Sequence, residues 1–140
     1  MNDQTTPLPV RTHLGLHHGL CGAPVALGPG AATVRLQATP EMAADAEGLV
    51  HGGFVFGAAD HAAMLAVNDP LVVLAAAEVR FLAPLAVGEV VELRATVTDE
   101  RGRKRIVAVE GRRGGAEGPV VFTGTFTAAV LDQHVLRTAR

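Results

Sequence analysis

Residues 52–68 constrain the fold of this chain more than any other stretch. Phe54-Val55-Phe56-Gly57-Ala58-Ala59-Asp60-His61-Ala62-Ala63-Met64-Leu65-Ala66-Val67 is long, rich in Ala and almost wholly apolar. Strands rarely run so far, and Ala is the strongest helix former. A helix that is apolar nearly all round must be buried on most of its sides. Asn68-Asp69-Pro70 stops it. The rest of the chain therefore has to wrap around this rod.

The flanking segments have the period of strands. Ala23 to Leu27, Gly28-Pro29-Gly30 and Ala31 to Ala38 read as strand, turn, strand, with Val34, Leu36 and Ala38 alternating with Arg35 and Gln37. After the helix, Leu71 to Leu82 begins as an apolar run and ends in alternation. Val91, Leu93, Ala95 and Val97 alternate with polar residues, and Arg105 to Glu110 pairs back across a turn near Arg101-Gly102. Phe122, Gly124, Phe126, Ala128 and Val130 form the last strand. The order is β-β-α-β-β-β-β, an α+β chain. Strands so close in sequence pair antiparallel, and their sheet must curl over the single long helix. Thr12 to Gly22 is expected to form a short helix. Residues 1–11 are expected to form a loose arm, 132–140 a tail, and the whole chain one domain.

Composition removes several functions. The chain contains no Ser, so a Ser-His-Asp hydrolase is excluded. The net charge of -2 argues against a general nucleic-acid binder. Cys21 is alone, which forbids an internal disulfide, and it reads as a small buried hydrophobe. His17-His18 has no partner at ligand spacing, so no metal is expected. Neither a secretory leader nor an apolar stretch of about 20 residues is evident, and a cytoplasmic protein is expected.

Chemistry concentrates at the start of the long helix. The first amides of a helix lack internal partners and sit at the positive end of its dipole. Two glycines, Gly52 and Gly53, allow a carbonyl to approach them. Such donors would polarise that carbonyl and hold the oxyanion formed on attack. The other open reading is a tight loop-to-helix entry. Asp60 is an acid in an apolar helix, which is costly unless it is paired or functional; a satisfied internal carboxylate and a catalytic acid both remain open. Gly53 and Asp60 lie on one face, but about 10 Å apart along the axis. A base must come within about 3 Å of its target. Two antiparallel helices in a two-fold dimer would bring Asp60 of one chain to Gly52 and Gly53 of the other. His61 points about 100° away from Asp60 and reads as a packing or interface residue.

The run His51-Gly52-Gly53-Phe54-Val55-Phe56-Gly57-Ala58-Ala59-Asp60 resembles the signature of the PaaI-like hotdog acyl-CoA thioesterases. So does Glu78-Val79-Arg80-Phe81-Leu82-Ala83-Pro84-Leu85-Ala86-Val87-Gly88-Glu89, and the likeness spans about residues 12–130. The resemblance implies a hotdog fold, in which a curled antiparallel sheet wraps one central helix. It implies hydrolysis of an aryl or short to medium aliphatic acyl-CoA to the free acid and coenzyme A, without a separate cofactor. Gly52 and Gly53 would polarise the carbonyl, and Asp60 of the neighbouring subunit would be nucleophile or general base. His51 would shape the turn near the thioester. Phe54, Phe56 and Met64 would line the acyl group, or else be ordinary core. A homodimer with joined sheets and shared sites is implied, often a tetramer beyond it.

Two positions depart from the family's pattern. Asp45 stands where many relatives have Asn, and Leu74 where many have Ser or Thr; both belong with the substrate-facing positions. They motivate a second reading, a hotdog protein that binds acyl-CoA without turnover. A hotdog dehydratase would need an Asp-x-Asn-Pro-x-His type motif, which this chain lacks. Arg101, Arg103, Lys104, Arg105, Arg112 and Arg113 cluster near one hairpin's ends, as contacts for coenzyme A phosphates or as a solvated turn.

Overall fold

The apolar run is one 16-residue helix, Gly52–Val67, at the centre of the structure. A computed structural model describes residues 8–138; positions 1–7 of the expected arm and 139–140 of the expected tail lie outside the described residues. We number the helices α1 (His18–Cys21) and α2 (Gly52–Val67). The strands are β1 (Ala23–Gly28), β2 (Ala31–Gln37), β3 (Val72–Phe81), β4 (Val90–Arg101), β5 (Lys104–Arg113) and β6 (Val120–Val130).

Helix α2 ends where a left-handed residue is tolerated. Asn68 takes φ 52° and ψ 43°, and its amide donates to the Met64 carbonyl at 2.8 Å. Its side chain does further work. Oδ1 accepts from the Arg11 amide at 2.8 Å, and Nδ2 donates to the Pro9 carbonyl at 3.0 Å. The Leu8 amide also donates to Leu27. The described part of the arm, residues 8–11, is therefore tied to β1 and the end of α2.

The six strands form one antiparallel sheet in the order β1-β2-β4-β5-β6-β3. α2 packs mainly on β2 and β4, then on β5. Facing it are Val34, Leu36, Val91, Leu93, Ala95, Val107, Phe122, Phe126 and Ala128, all wholly buried. Sequence alternation thus becomes an apolar concave face, and register shifts in β1, β3, β4 and β5 help it curl. Two inward positions have no room for a side chain. A Cβ at Gly111 would lie 2.9 Å from Leu93 Cδ1, and one at Gly124 2.8 Å from the Phe126 ring. This is the hotdog arrangement. β3 pairs only with β6, so among the described residues its outer edge is unpaired. Ala75, Ala76, Ala77 and Phe81 on it are exposed.

One expected element is shorter than its pattern suggested. Only His18–Cys21 of Thr12 to Gly22 is helical. His13 at φ 56° breaks the helical path on one side, and Gly22 at φ 83° ends it on the other. A short 3-10 turn, Val135–Arg137, follows β6 within the expected tail, and His134 caps it by accepting from the Leu136 amide. Among the described residues no helix is long and apolar enough to cross a membrane.

Candidate active site

The start of α2 is held by two loops. Residues 43–50 form a tight turn, closed by the Ala43–Val50 bridge and by Ala44 N donating to Leu49 O at 2.7 Å. The loop after β3 is stitched to it, with Val50 N donating to Leu85 O at 2.9 Å and Val87 N to Gly48 O at 2.8 Å. His51 N donates to Met42 O at 2.9 Å. The helix therefore begins at a braced point.

That start is open in two senses. His51, the N-cap residue, makes no capping bond with its side chain. Among the described residues no hydrogen bond uses the amide of Gly52 or Gly53, whereas the Phe54 amide is taken by His51 O at 3.1 Å. The two free donors sit at the positive end of a 16-residue helix. Both glycines also let an aromatic ring come close to the helix start. A Cβ at Gly52 would lie 3.2 Å from Phe81 Cε1, and one at Gly53 2.8 Å from His51 Nε2. The His51 ring, exposed to solvent, thus lies over the first turn, edge-on to Phe54 at 6.1 Å.

Asp60 lies two turns further on. Its Oδ1 is buried and has no hydrogen-bond partner. Burial alone pushes its carboxyl up from 3.8 to about 6. Its neighbour His61 is settled differently. His61 is buried, and its Nδ1 donates to the Cys21 carbonyl at 3.0 Å. Burial lowers its pKa, backbone hydrogen bonds to Cys21 and Gly22 oppose this, and His18 adds to the lowering. The rings of His18 and His61 lie 6.0 Å apart, a packing of α1 on α2 that nothing in the local sequence pattern signalled.

The remaining candidates are spread out. Asp45, exposed in the entry turn, accepts from the amides of Glu47 at 3.0 Å and Leu49 at 3.2 Å through Oδ1. Phe54 and Phe56 are partly buried, and Phe56 packs on Phe126 at 5.6 Å. Met64 is wholly inside the core. Leu74 lies against the core beside the irregularity in β3. One chain thus gathers His51, Gly52, Gly53 and Phe54, with Asp60 about 10 Å away along the axis. All five arginines of the basic cluster are engaged with acids. Arg101 pairs with Asp99, Arg103 with Asp132, Arg105 with Glu100, Arg112 with Glu110 and Arg113 with Glu89.

Beside Gly52 runs an apolar groove of about 320 Å³, floored by Val50, Val55, Leu85 and Val121 and flanked by Phe81 and Leu82. Strand periodicity had singled out none of these for a site. A larger hollow, about 510 Å³, runs along β3 and β6 past Glu78, Arg80, Thr123 and Thr125. It touches neither the glycines nor Asp60, so the smaller groove is the one joined to the free donors.

Comparison with known proteins bears on this geometry. A model of the thioesterase superfamily matches residues 47–120. An uncharacterized protein of Pyrococcus horikoshii is 47% identical, with a TM-score of 0.89, over 93% of this chain and 98% of that one. A point variant of the phenylacetic acid degradation protein PaaI from Thermus thermophilus is 31% identical, with a TM-score of 0.71, over 80% and 95%. A methylthioribose-1-phosphate isomerase of Aquifex aeolicus is 48% identical over 122 residues, 87% of this chain. This chain covers only 26% of that protein, so the isomerase name is not carried across. The family model's span includes the glycine pair, Asp60 and the loop after β3, and the chain belongs to the thioesterase superfamily as a PaaI-like hotdog protein.

Proposed function

We propose that this protein hydrolyses an acyl-CoA thioester to a carboxylic acid and coenzyme A, in sites shared by two copies of the chain. The observation that carries this is a pair of unmet needs on one helix. The Gly52 and Gly53 amides are donors without acceptors, and Asp60 Oδ1 is a buried acceptor without a donor. A thioester carbonyl satisfies the first. A water donating to Oδ1 satisfies the second, and the same oxygen is placed to attack a carbonyl carbon directly.

The chemistry follows from those groups. The carbonyl oxygen takes the two amides, which draws charge from the carbon. Asp60 of the second copy, ionised near neutral pH, removes a proton from water as it attacks, or attacks directly to give an anhydride that water then opens. The tetrahedral oxyanion rests on the amides and the helix dipole. Its collapse expels coenzyme A as a thiolate, which then takes a proton. Burial favours the reactive base: a carboxylate poised near 6 is a stronger base than an ordinary one, yet remains ionised at pH 7. The free edge of β3, with its small exposed alanines, is the surface along which a second copy would pair.

The test is thiol release from a panel of aliphatic and aryl acyl-CoAs. Wild-type protein is expected to turn over at least one of them, and Asp60→Asn to lose 100-fold or more. Full rates in Asp60→Asn would refute the mechanism. Saturable acyl-CoA binding by the wild type without thiol release would instead favour the binding reading, which rests on Asp45 and Leu74.

A further inference from the structure

Three imidazoles meet where α1 rests on α2. His61 is buried on α2, and its Nδ1 donates at 3.0 Å to the carbonyl of Cys21, the last residue of α1. The ring of His18, at the start of α1, lies 6.0 Å from that of His61. His13, half-buried in the loop before α1, stands close enough for a charge on His61 to oppose one on its own ring. Little else holds α1 down. None of its four residues is buried, and Leu20 packs only in part against the core. The loop is also held against its backbone preference. His13 sits at φ 56°, which is costly for a residue with a Cβ. A 2.8 Å hydrogen bond between its Nδ1 and Thr12 Oγ1 fixes its ring.

None of these three rings has an acid partner. Among the described residues no carboxylate makes an ion pair with His13, His18 or His61. α2 itself contributes Asp60, one residue back and about 100° round the helix. The approach to α1 adds Arg11 and His17, both exposed. β1 and β6 carry no charged residue. Arg35 of β2 pairs with Glu92, Arg112 with Glu110 and Arg113 with Glu89, while Arg94 and the charged residues of β3 are exposed. A proton on His61 therefore enters a buried place bordered by two more imidazoles, with no anion to meet it. Neutral rings pack there, whereas charged ones repel one another and draw in water. Burial, with the neighbouring rings adding to it, holds His13 and His61 below the usual 6.5. The stability of this contact is thus complete above 6.5 and is lost as pH falls from there.

We infer that residues 12–22 are an acid-released clamp on the central helix: neutral His13, His18 and His61 keep α1 seated, and protonation of the cluster frees the segment while the sheet stays folded. The clamp bears on α2 one residue past Asp60, so its release loosens the helix beside the candidate site at acid pH. This holds whether or not the protein turns over a thioester.

Cys21 is the single thiol of the chain and reports on the clamp directly. Its rate of reaction with dithiodipyridine, divided by that of glutathione at the same pH, should rise about tenfold or more from pH 7.5 to pH 5. The Leu20 and Cys21 amides donate to His17 O at 3.0 and 2.9 Å. Their hydrogen exchange, relative to a free peptide, should accelerate in step, while amides of β4 and β5 stay protected. His61→Gln keeps a donor for the Cys21 carbonyl but takes no charge, and should react slowly at both pH values. An unchanged relative rate in wild-type protein overturns the inference, as does a rise in His61→Gln as large as the wild type's. Loss of protection across β4 and β5 at pH 5 also overturns it, because that is unfolding rather than release. If His61→Gln reacts fast at both pH values, the substitution has broken the seat itself. His13→Gln and His18→Gln, which leave the Cys21 bond in place, then decide. A smaller rise in either supports the clamp, and a full rise in both overturns it.

Discussion

Replacing Asp60 by Asn probes the electrostatics of the site and its chemistry together. Asn keeps the shape of the side chain and an oxygen near the buried Oδ1 position, but it cannot ionise. Burial raises the Asp60 carboxyl from 3.8 to about 6, which corresponds to about 3 kcal/mol. That is a ceiling, because the residue is only partly buried and solvent screens it. The folded state holds this proton more tightly than the unfolded chain does. Ionisation therefore weakens the fold progressively as pH rises from about 4 to about 6, and the full cost persists above that. Asp60→Asn should melt higher than wild type at pH 8, by up to about 10 °C for a chain of this size. At pH 5 the gap should shrink to roughly half. Comparing variant with wild type at each pH cancels the contributions of the histidines. Melting curves at matched protein concentration give the answer, since association also shifts Tm. The same acid should appear in kinetics as an acidic limb of kcat/KM near pH 6 rather than near 4. An equal gap at pH 5 and pH 8, or a variant less stable at pH 8, would mean that a donor or cation in the assembled protein meets the carboxylate, and the desolvation argument would fail.

Other substitutions separate packing from function. In Gly53→Ala the new Cβ would come within 2.8 Å of His51 Nε2, a solvent-exposed ring free to swing aside. Urea unfolding should change by less than about 1 kcal/mol, while thiol release should fall tenfold or more. In Gly124→Ala the Cβ would meet the Phe126 ring at 2.8 Å and Val79 Cγ1 at 2.9 Å; overpacking should cost about 1–3 kcal/mol in the same assay. Asp45→Asn keeps an oxygen for the Glu47 and Leu49 amides and should leave stability within about 0.5 kcal/mol, whereas Asp45→Ala should lose about 1 kcal/mol. Burial holds His13 and His61 below the usual 6.5, so their neutral forms stabilise the fold, and stability from this pair should fall as pH drops through 6.5. His61→Phe should flatten that part of the pH–Tm curve.

The features legible in the sequence were those carried by local period and composition. The apolar run 54–67 reads as a buried helix, and alternation in 91–97 and 122–130 reads as half-buried strands. Each of these became the element expected, because a side chain's face follows from its neighbours within one or two turns. Contacts between distant segments left no such trace. Asn68 reads as a helix stop, yet its side chain also secures residues 9 and 11, more than fifty positions away. The His18–His61 packing joins a four-residue helix to the central one, and a pair of adjacent histidines in a loop suggests only a metal site to be weighed. The short helix over Thr12 to Gly22 was overextended because composition does not report a left-handed turn at His13.

The glycine pair shows why two readings of one motif need not compete. A tight helix entry and an open oxyanion site are separate expectations when only the sequence is in view. In the folded chain the same absence of a Cβ serves both. Gly52 lets the Phe81 ring close against the helix start, and Gly53 lets the His51 ring lie over the first turn. Those rings lie against the Cα positions while adding no acceptor for the amides of Gly52 and Gly53. Had a Ser, Asp or Asn stood at position 51, its side chain would have reached back to one of those amides and stabilised the helix by about 1 kcal/mol. His51 makes no such bond. That forgone cap leaves the donors free for a ligand, just as the Asp60 carboxylate forgoes a partner in the helix interior. Two local sacrifices of stability on a single helix, two turns apart, are what a site completed by a second copy of the chain would require. A stability-optimised helix of this composition would have corrected both.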